Sequence, residues 1–482
     1  METPVVISLK DLYIKTFGFY PDKVEELPVS GSARKYYRMS HDTKDIIGVF
    51  NKDQKENNTF VEFTRHFFNK GLNVPEIFAF DNENYIYLEQ DLGNQTLYDK
   101  IISLRENGSF SPVLTELYKK VIGHLIKFQL SGGKGLNYKL CYPRSKFDKQ
   151  SMLWDLNYFK HYFIKLAGVV FDEQQLEDDF NTLTDYLSQA DSAYFLYRDF
   201  QSRNIMLSDG DLYFIDYQGG RQGALQYDLA SLLYDAKADI PQVVREELLE
   251  YYIDKLSEQI DFKKETFREQ YYGFVLIRIM QAFGAYGYRG FFERKQHFLL
   301  SIPYALKNLE WILKNIKLDI NIPALNSIFE KLILSPNLKQ LSYEPSMGLT
   351  VLVNSFSYKR NIPLDNSGHG GGFVFDCRFL PNPGREVKYQ LQTGKDQEVV
   401  EYLNQSDETE LFVQRAIQMI DGAVDNYLKR NFTNLMVSFG CTGGRHRSVY
   451  CANRMAEHLS TRKELNCVLR HIELEIIEKN QG

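Results

Sequence analysis

Three oxygen-bearing side chains lie close together in one stretch: Asp199 in YFLYRDFQSRNIML, Asn204 five residues later, and Asp216 at the end of LYFIDYQGG. Short apolar runs on either side of a polar loop predict a strand, a loop and a hairpin that bring the three to one edge. Phosphoryl transfer needs such a set. One carboxylate aligns an acceptor hydroxyl and takes its proton, while an amide and a second carboxylate hold Mg²⁺ against nucleotide phosphates. On this reading Asp199 is the catalytic base, Asn204 and Asp216 are the metal ligands, and ATP and Mg²⁺ are the cofactors. Any one of them alone would more simply cap a turn; the triplet with its flanking strands carries the reading.

A second stretch, MVSFGCTGGRHRSVY, reads as a strand, a tight glycine loop and a helix start. Backbone amides and the helix N-terminus would converge on an anion there, with Arg447 as a bidentate clamp. Cys441 followed by Arg447 and Ser448 also has the spacing of a cysteine phosphatase loop. Turnover would need an acid for the leaving group, and the preceding residue, Gly440, offers none, so binding without hydrolysis is expected. Nearer the N-terminus, LPVSGSARKYYRM puts Gly31 and Ser32 at a turn where small residues let amides approach phosphate. YIYLEQDLG, an apolar strand running into a charged turn, suits a hinge where an adenine ring pairs with backbone groups near Glu89.

The elements that must position these residues follow from patterning. Recurrence of apolar residues every three or four positions over 114–130 and 300–334, as at Ile302, Leu306, Leu309, Trp311 and Leu313, predicts amphipathic helices. LTVLVNSF and NLMVSFG read as buried strands, and Val413, Ile417, Ile420, Val424 and Tyr427 mark a helix between them. Periodicity lapses in SPNLKQLSYEPSMG, so the chain is expected to divide into 1–335, a 336–348 linker and 349–482. With 482 residues, 44% hydrophobic and 25% charged, it is a multi-domain globular chain. A net charge of −6 gives no general attraction to phosphate backbones, so direct nucleic-acid binding is not expected. Five cysteines without a CxxC spacing argue against a disulfide framework or structural zinc. Neither a leader nor a long apolar run is evident, so no membrane partner and a cytoplasmic location are expected.

Residues 1 to about 335 resemble the aminoglycoside phosphotransferase and choline kinase superfamily, most of all its anomeric N-acetylmuramate/N-acetylglucosamine kinases of cell-wall recycling. The strings that carry the resemblance are GSARKYYR, GLNVPEIFAFD, LEQDLGNQTL, YRDFQSRNIM, FIDYQGG and YDLASLLYD. It implies an α+β protein-kinase-like domain that binds nucleotide through the first loop and the hinge. It also implies that Asp228 of YDLASLL is a structural carboxylate. The third-strand Lys of that family is absent from DIIGVFN, where Phe50 and Asn51 stand, so Arg38 or Lys52 is expected to neutralise phosphate instead. The segment RIMQAFGAYGYRGFFERKQHF is aromatic where resistance enzymes of that family tend to be acidic, which favours a sugar over a drug as acceptor.

Residues 349 to about 475 resemble the C-terminal domain of RapZ-type RNase adapter proteins, through SFSYKRNIP, FVFDCRFLPNP, TGKD and GCTGGRHRSV. That implies a smaller α/β domain that senses glucosamine-6-phosphate and engages partner macromolecules. By motif, the implied ligand site comprises Lys359, Asp376, Arg378, Asn382, Cys441, Thr442, Gly443, Gly444, Arg447 and Ser448. The family's His after the Asn-Pro step is Gly384 here, and His369 of an inserted SGHGGG could take its place. No GxxxxGK[ST] loop occurs, so the family's own N-terminal half is not represented.

The leading expectation is an ATP-dependent kinase acting on an amino sugar, fused to a domain that binds a sugar phosphate. The alternatives are a weakly active kinase-like scaffold whose C-terminal domain binds a regulatory or RNA-processing partner, and a chain carrying a cysteine phosphatase.

Overall fold

The computed structural model describes residues 3–28, 34–42, 44–105, 110–293, 295–339, 341, 349–363, 365, 372–430 and 432–480. Gly31, Ser32, His369 and residues 342–348 of the expected linker lie outside them. The chain divides into two compact units, Met1–Gly284 with Tyr304–Glu330, and Ala285–Pro303 with Lys331–Gly482.

The first unit is α+β. Strands β1 (Lys23–Glu26), β2 (Lys35–His41), β3 (Lys44–Phe50), β4 (Ile77–Asp81) and β5 (Ile86–Gln90) form an antiparallel sheet in the order β1-β2-β3-β5-β4. Its register pairs Lys35 with Phe50 and Ile47 with Glu89. The helix Gln54–Asn69 starts where Asp53 accepts a hydrogen bond from the Glu56 amide at 3.1 Å, an N-cap. It buries Phe60, Phe63 and Phe67 on one face, each worth about 1.5–3 kcal/mol of transfer free energy.

Those rings meet the segment that carries the predicted chemistry. Phe60 stacks on Tyr217 at 5.3 Å between centroids, and Phe67 lies edge-on to Phe195 at 5.1 Å. The segment itself consists of β6 (Tyr194–Leu196), the hairpin β7 (Ile205–Ser208) and β8 (Asp211–Phe214), and β9 (Arg221–Gly223), which pairs back onto β6. Helices that include Pro112–Lys127, Lys149–Phe159, Gln226–Leu233 and Gln242–Ser257 surround it. The amphipathic stretch after residue 300 is two helices, Ile302–Asn315 and Pro323–Leu334, the second opening with Pro323 at its first position, where proline is tolerated.

The second unit carries a five-stranded sheet in the order β11-β12-β10-β13-β14. Strand β10 (Leu349–Ser357) is central, β11 (Gly372–Asp376), β12 (Asn434–Cys441) and β13 (Leu465–His471) run parallel to it, and β14 (Ile476–Asn480) is antiparallel. Helices Gln397–Asn404, Asp407–Lys429 and Arg447–Ser460 supply apolar residues to its core. Among the described residues of both units, no helix is long and apolar enough to cross a membrane.

Several polar groups buried in this sheet are paired. The Asn354 amide donates to Ser438 Oγ at 3.1 Å, while the His471 ring contacts Ser355 Oγ at 2.9 Å and Asn453 Oδ1 at 2.9 Å. Burial, and then the nearby Lys395 charge, push the His471 imidazole down from 6.5 to about 4. Between these values the unfolded chain binds the extra proton, so stability is whole above pH 6.5 and falls as pH drops through the window to 4. Urea midpoints measured across that window should fall toward acid, and His471→Gln should flatten the slope; an unchanged slope in the variant would assign the pH dependence to other groups.

Candidate functional site

The first site is built on a buried carboxylate. Asp228, in the first turn of Gln226–Leu233, accepts hydrogen bonds from the amides of Tyr197 at 2.7 Å and Arg198 at 2.9 Å. Complete burial pushes its carboxyl up to about 7, against those two amides, which pull it down. Arg198 adopts the left-handed backbone conformation at φ 85° and sends its guanidinium onto Asp155 in a bidentate pair of 2.6 and 2.8 Å. The same guanidinium lies over the rings of Phe147 and Tyr227, 5.0 and 5.2 Å from their centroids. Further on, the Ser202 hydroxyl donates to Asp235 at 2.5 Å. The loop that presents Asp199 is thus held by carboxylates on both sides.

Asp199 is half-buried and follows Arg198 directly. The Asn204 amide donates to the Asp199 carbonyl at 2.8 Å and to Asp216 Oδ2 at 3.3 Å, so the structure brings all three residues together. Asp216 lies just past β8 with φ 69°, and Gln218 donates to its Oδ1 at 2.6 Å. Desolvation, and then the Asp199 charge, raise the Asp216 carboxyl above its ordinary range. The Asp216 carboxylate and the Asn204 amide suit a hard divalent cation, whose charge would relieve the repulsion from Asp199.

The nucleotide side departs from expectation. Arg38 is committed elsewhere: its guanidinium pairs with Asp91, and Nη2 also donates to Asn94 at 2.9 Å. Lys52 is exposed, and no ion pair to a carboxylate is found for it among the described residues. The cation beside the carboxylates is Arg34, whose side chain is 4% exposed. Its Nη2 lies 2.8 Å from Glu56 Oε1 and its Nη1 4.0 Å from Asp216 Oδ1. Asn51 donates to the other Glu56 oxygen at 2.7 Å. Strand spacing could not reveal Arg34, because an arginine at the start of a strand is usually solvated. Glu89 is still inside the ladder, paired in register with Ile47 and Ile77, and burial lifts its carboxyl to about 8.

In the second unit the loops after β10, β11 and β12 open at the carboxyl edge of the parallel strands, the edge at which open α/β sheets bind ligands. Lys359 follows β10, Arg378 and Asn382 follow β11, and Cys441 ends β12. Cys441 Sγ accepts from the Gly444 amide at 3.2 Å and faces Ser448 Oγ at 3.1 Å, both side chains being buried. Lys359, Thr442 and Gly443 are exposed at the mouth. Arg378 forms an ion pair with Asp376 at 2.6 Å and lies over Tyr358, 4.1 Å from the ring centroid. The Asn382 side chain accepts from the Gly384 amide at 3.3 Å, which shapes its own turn.

Arg447 differs from the expected clamp. Its Nη1 donates to the carbonyls of Arg378 at 2.6 Å and Leu380 at 3.0 Å, so the guanidinium fixes the neighbouring loop from beneath. Gly384 leaves room for His446, whose Cε1 would lie 3.3 Å from an added Cβ, and that ring meets the Tyr389 carbonyl at 2.9 Å. At Gly440 an added Cβ would come within 2.4 Å of the rings of Phe356 and Tyr358. Position 440 is therefore closed to a larger side chain by aromatic carbon.

Comparison with known proteins agrees with this division. Residues 349–475 match the model of the RapZ C-terminal domain, and residues 23–262 match that of the phosphotransferase enzyme family. Curated relatives include a nucleotide-binding protein of Clostridium botulinum (strain ATCC 19397 / Type A), 43% identical over 114 residues that cover 24% of this chain and 37% of the relative. Another nucleotide-binding protein, from Thermotoga neapolitana, is 38% identical over 130 residues, covering 27% of this chain and 44% of the relative. The match thus spans less than half of the length of either relative. Among solved structures, an amicoumacin kinase in complex with AMP-PNP, Ca²⁺ and Ami aligns with a TM-score of 0.43 at 13% identity, covering 59% of this chain and 86% of that one. Choline kinase from Cryptosporidium parvum aligns with a TM-score of 0.43 at 13% identity, covering 64% and 93%. By these matches residues 23–262 carry a domain of the phosphotransferase enzyme family and residues 349–475 a RapZ C-terminal domain.

Proposed function

We propose that the chain is an amino-sugar kinase of cell-wall sugar recycling, using ATP and Mg²⁺, whose C-terminal domain senses a sugar phosphate. The observation that carries the reading is the juxtaposition of Asp199, Asn204 and Asp216 on a loop locked by Asp228. Asp199 takes the proton of the acceptor hydroxyl as the phosphoryl group arrives, and the loop fixes its aim. Asn204 and Asp216 would hold Mg²⁺, which when bound neutralises phosphate charge. The aromatic composition of 278–298 supports a sugar acceptor, since sugar rings present apolar faces. Five cysteines without a disulfide support a reducing, cytoplasmic setting. Functionally we divide the chain as kinase domain 1–335, linker 336–348 and ligand-binding domain 349–482.

In the C-terminal domain, exposed Lys359 and the Thr442–Gly444 loop are our candidates for contacting a phosphate ester. A protein partner engaged by this domain is the further expectation from the RapZ match, and binding without hydrolysis is expected there.

Two outcomes follow. With ATP, Mg²⁺ and a panel of amino sugars read by mass spectrometry, Asp199→Asn should lower turnover about 10²–10⁴-fold while nucleotide affinity changes little. Asp216→Asn should instead abolish Mg²⁺-dependent nucleotide binding, and equal losses of affinity in the two variants would refute the assigned roles. Titration of the full chain with glucosamine-6-phosphate should give saturable binding without phosphate release. Lys359→Ala should weaken that binding about tenfold or more, by analogy with other charge-assisted hydrogen bonds, and Cys441→Ser should change it little. No binding by the wild-type chain would remove the sensing role.

A further inference from the structure

We infer that Arg34 is the phosphate-binding cation of the kinase site, a position its family neighbours fill from the end of the third strand. The inference rests on the kinase reading and deepens it. The β2–β3 ladder pairs Lys35 with Phe50. One step further along the same antiparallel register, Arg34 stands across from Asn51, the strand-end position where a lysine is missing. The cation has therefore moved from one strand to its neighbour, while the end that does chemistry has stayed in place. Arginine suits the longer approach, because its planar fork reaches two acceptors at once where an ammonium is a single point.

The surroundings agree with a working cation more than with a structural ion pair. The guanidinium is 4% exposed and lies 2.8 Å from Glu56 Oε1, and it passes over the Phe60 ring at 5.6 Å. Glu56 belongs to the first turn of the Gln54–Asn69 helix, and its second oxygen is taken by the Asn51 amide at 2.7 Å. Gln218 links the same carboxylate to the metal side, donating to Asp216 at 2.6 Å while lying 3.4 Å from Glu56. A merely structural pair would have no reason to reach the metal side. Arg34 Nη1 does reach it, standing 4.0 Å from Asp216 Oδ1, where a phosphate chain bridged to Asp216 through a cation would have to pass.

Binding to the full chain, with no acceptor present, tests this separately from the acceptor's identity. In calorimetric titrations Arg34→Gln should weaken MgATP by about tenfold or more and leave adenosine within about twofold, since adenosine lacks the phosphates. Unchanged MgATP affinity, or equal loss for adenosine, would overturn the assignment. Should the half-buried Glu56 keep Arg34→Gln from folding, the double variant Arg34→Gln/Asn51→Lys decides, because it returns a cation to the same carboxylate from the adjacent strand. It should bind MgATP within about threefold of the wild-type chain; binding adenosine but not MgATP would count against the proposal. Wild-type binding of MgATP with no amino sugar phosphorylated would fail the acceptor reading and leave Arg34's role standing.

Discussion

A single carboxylate, Asp228, fixes the geometry on which the kinase site depends. Its two oxygens take up the amides of Tyr197 and Arg198, groups that a left-handed turn would otherwise leave unpaired inside the protein. The arrangement has a cost, since the carboxylate is fully buried and its charge is opposed by desolvation. The two hydrogen bonds offset that cost and convert it into aim: the turn can reverse at Arg198 only while the amides have an acceptor. Everything downstream in the loop inherits its direction from that reversal.

The two units arrange the polar groups of their candidate sites by different means. In the first, charge is concentrated in side chains: two carboxylates, an amide and a guanidinium gather around one cleft, and their mutual repulsion and attraction are balanced across strands and helices far apart in sequence. In the second, the loop turns its nearest amide onto its own sulfur and its arginine onto backbone carbonyls. Cys441 Sγ and Arg447 Nη1 are thereby engaged within the domain, and Lys359, Thr442 and Gly443 form the exposed rim. The first arrangement suits transfer, where charge develops during the reaction.

Local arrangements were readable from the sequence, and long-range ones were not. Asp199, Asn204 and Asp216 converge because a short loop and hairpin connect them, and alternating apolar runs announce such hairpins. The parallel core strands around Cys441 were equally plain from their apolar runs. Arg34 was not legible, because its burial depends on a strand register and a helix placement that no local pattern encodes. Arg38 shows the converse: a cation of the right type, four residues further along the same stretch, is captured by Asp91 and Asn94. Arg447 was recognisable as a cation at the right spacing, but spacing is silent on direction, and two carbonyls turn it inward.

The packing at Gly440 bears on how this domain can change over evolutionary time. Two aromatic rings, Phe356 and Tyr358, fill the space where any larger residue would begin. Both belong to the central strand and its exit, so neither can shrink without opening a void beside the loop. A single replacement at this position would damage the sheet before it could add a reactive group, and compensating changes would each be harmful on their own. Glycine is thereby held at position 440 by a barrier in sequence space, one set by the volume of two side chains.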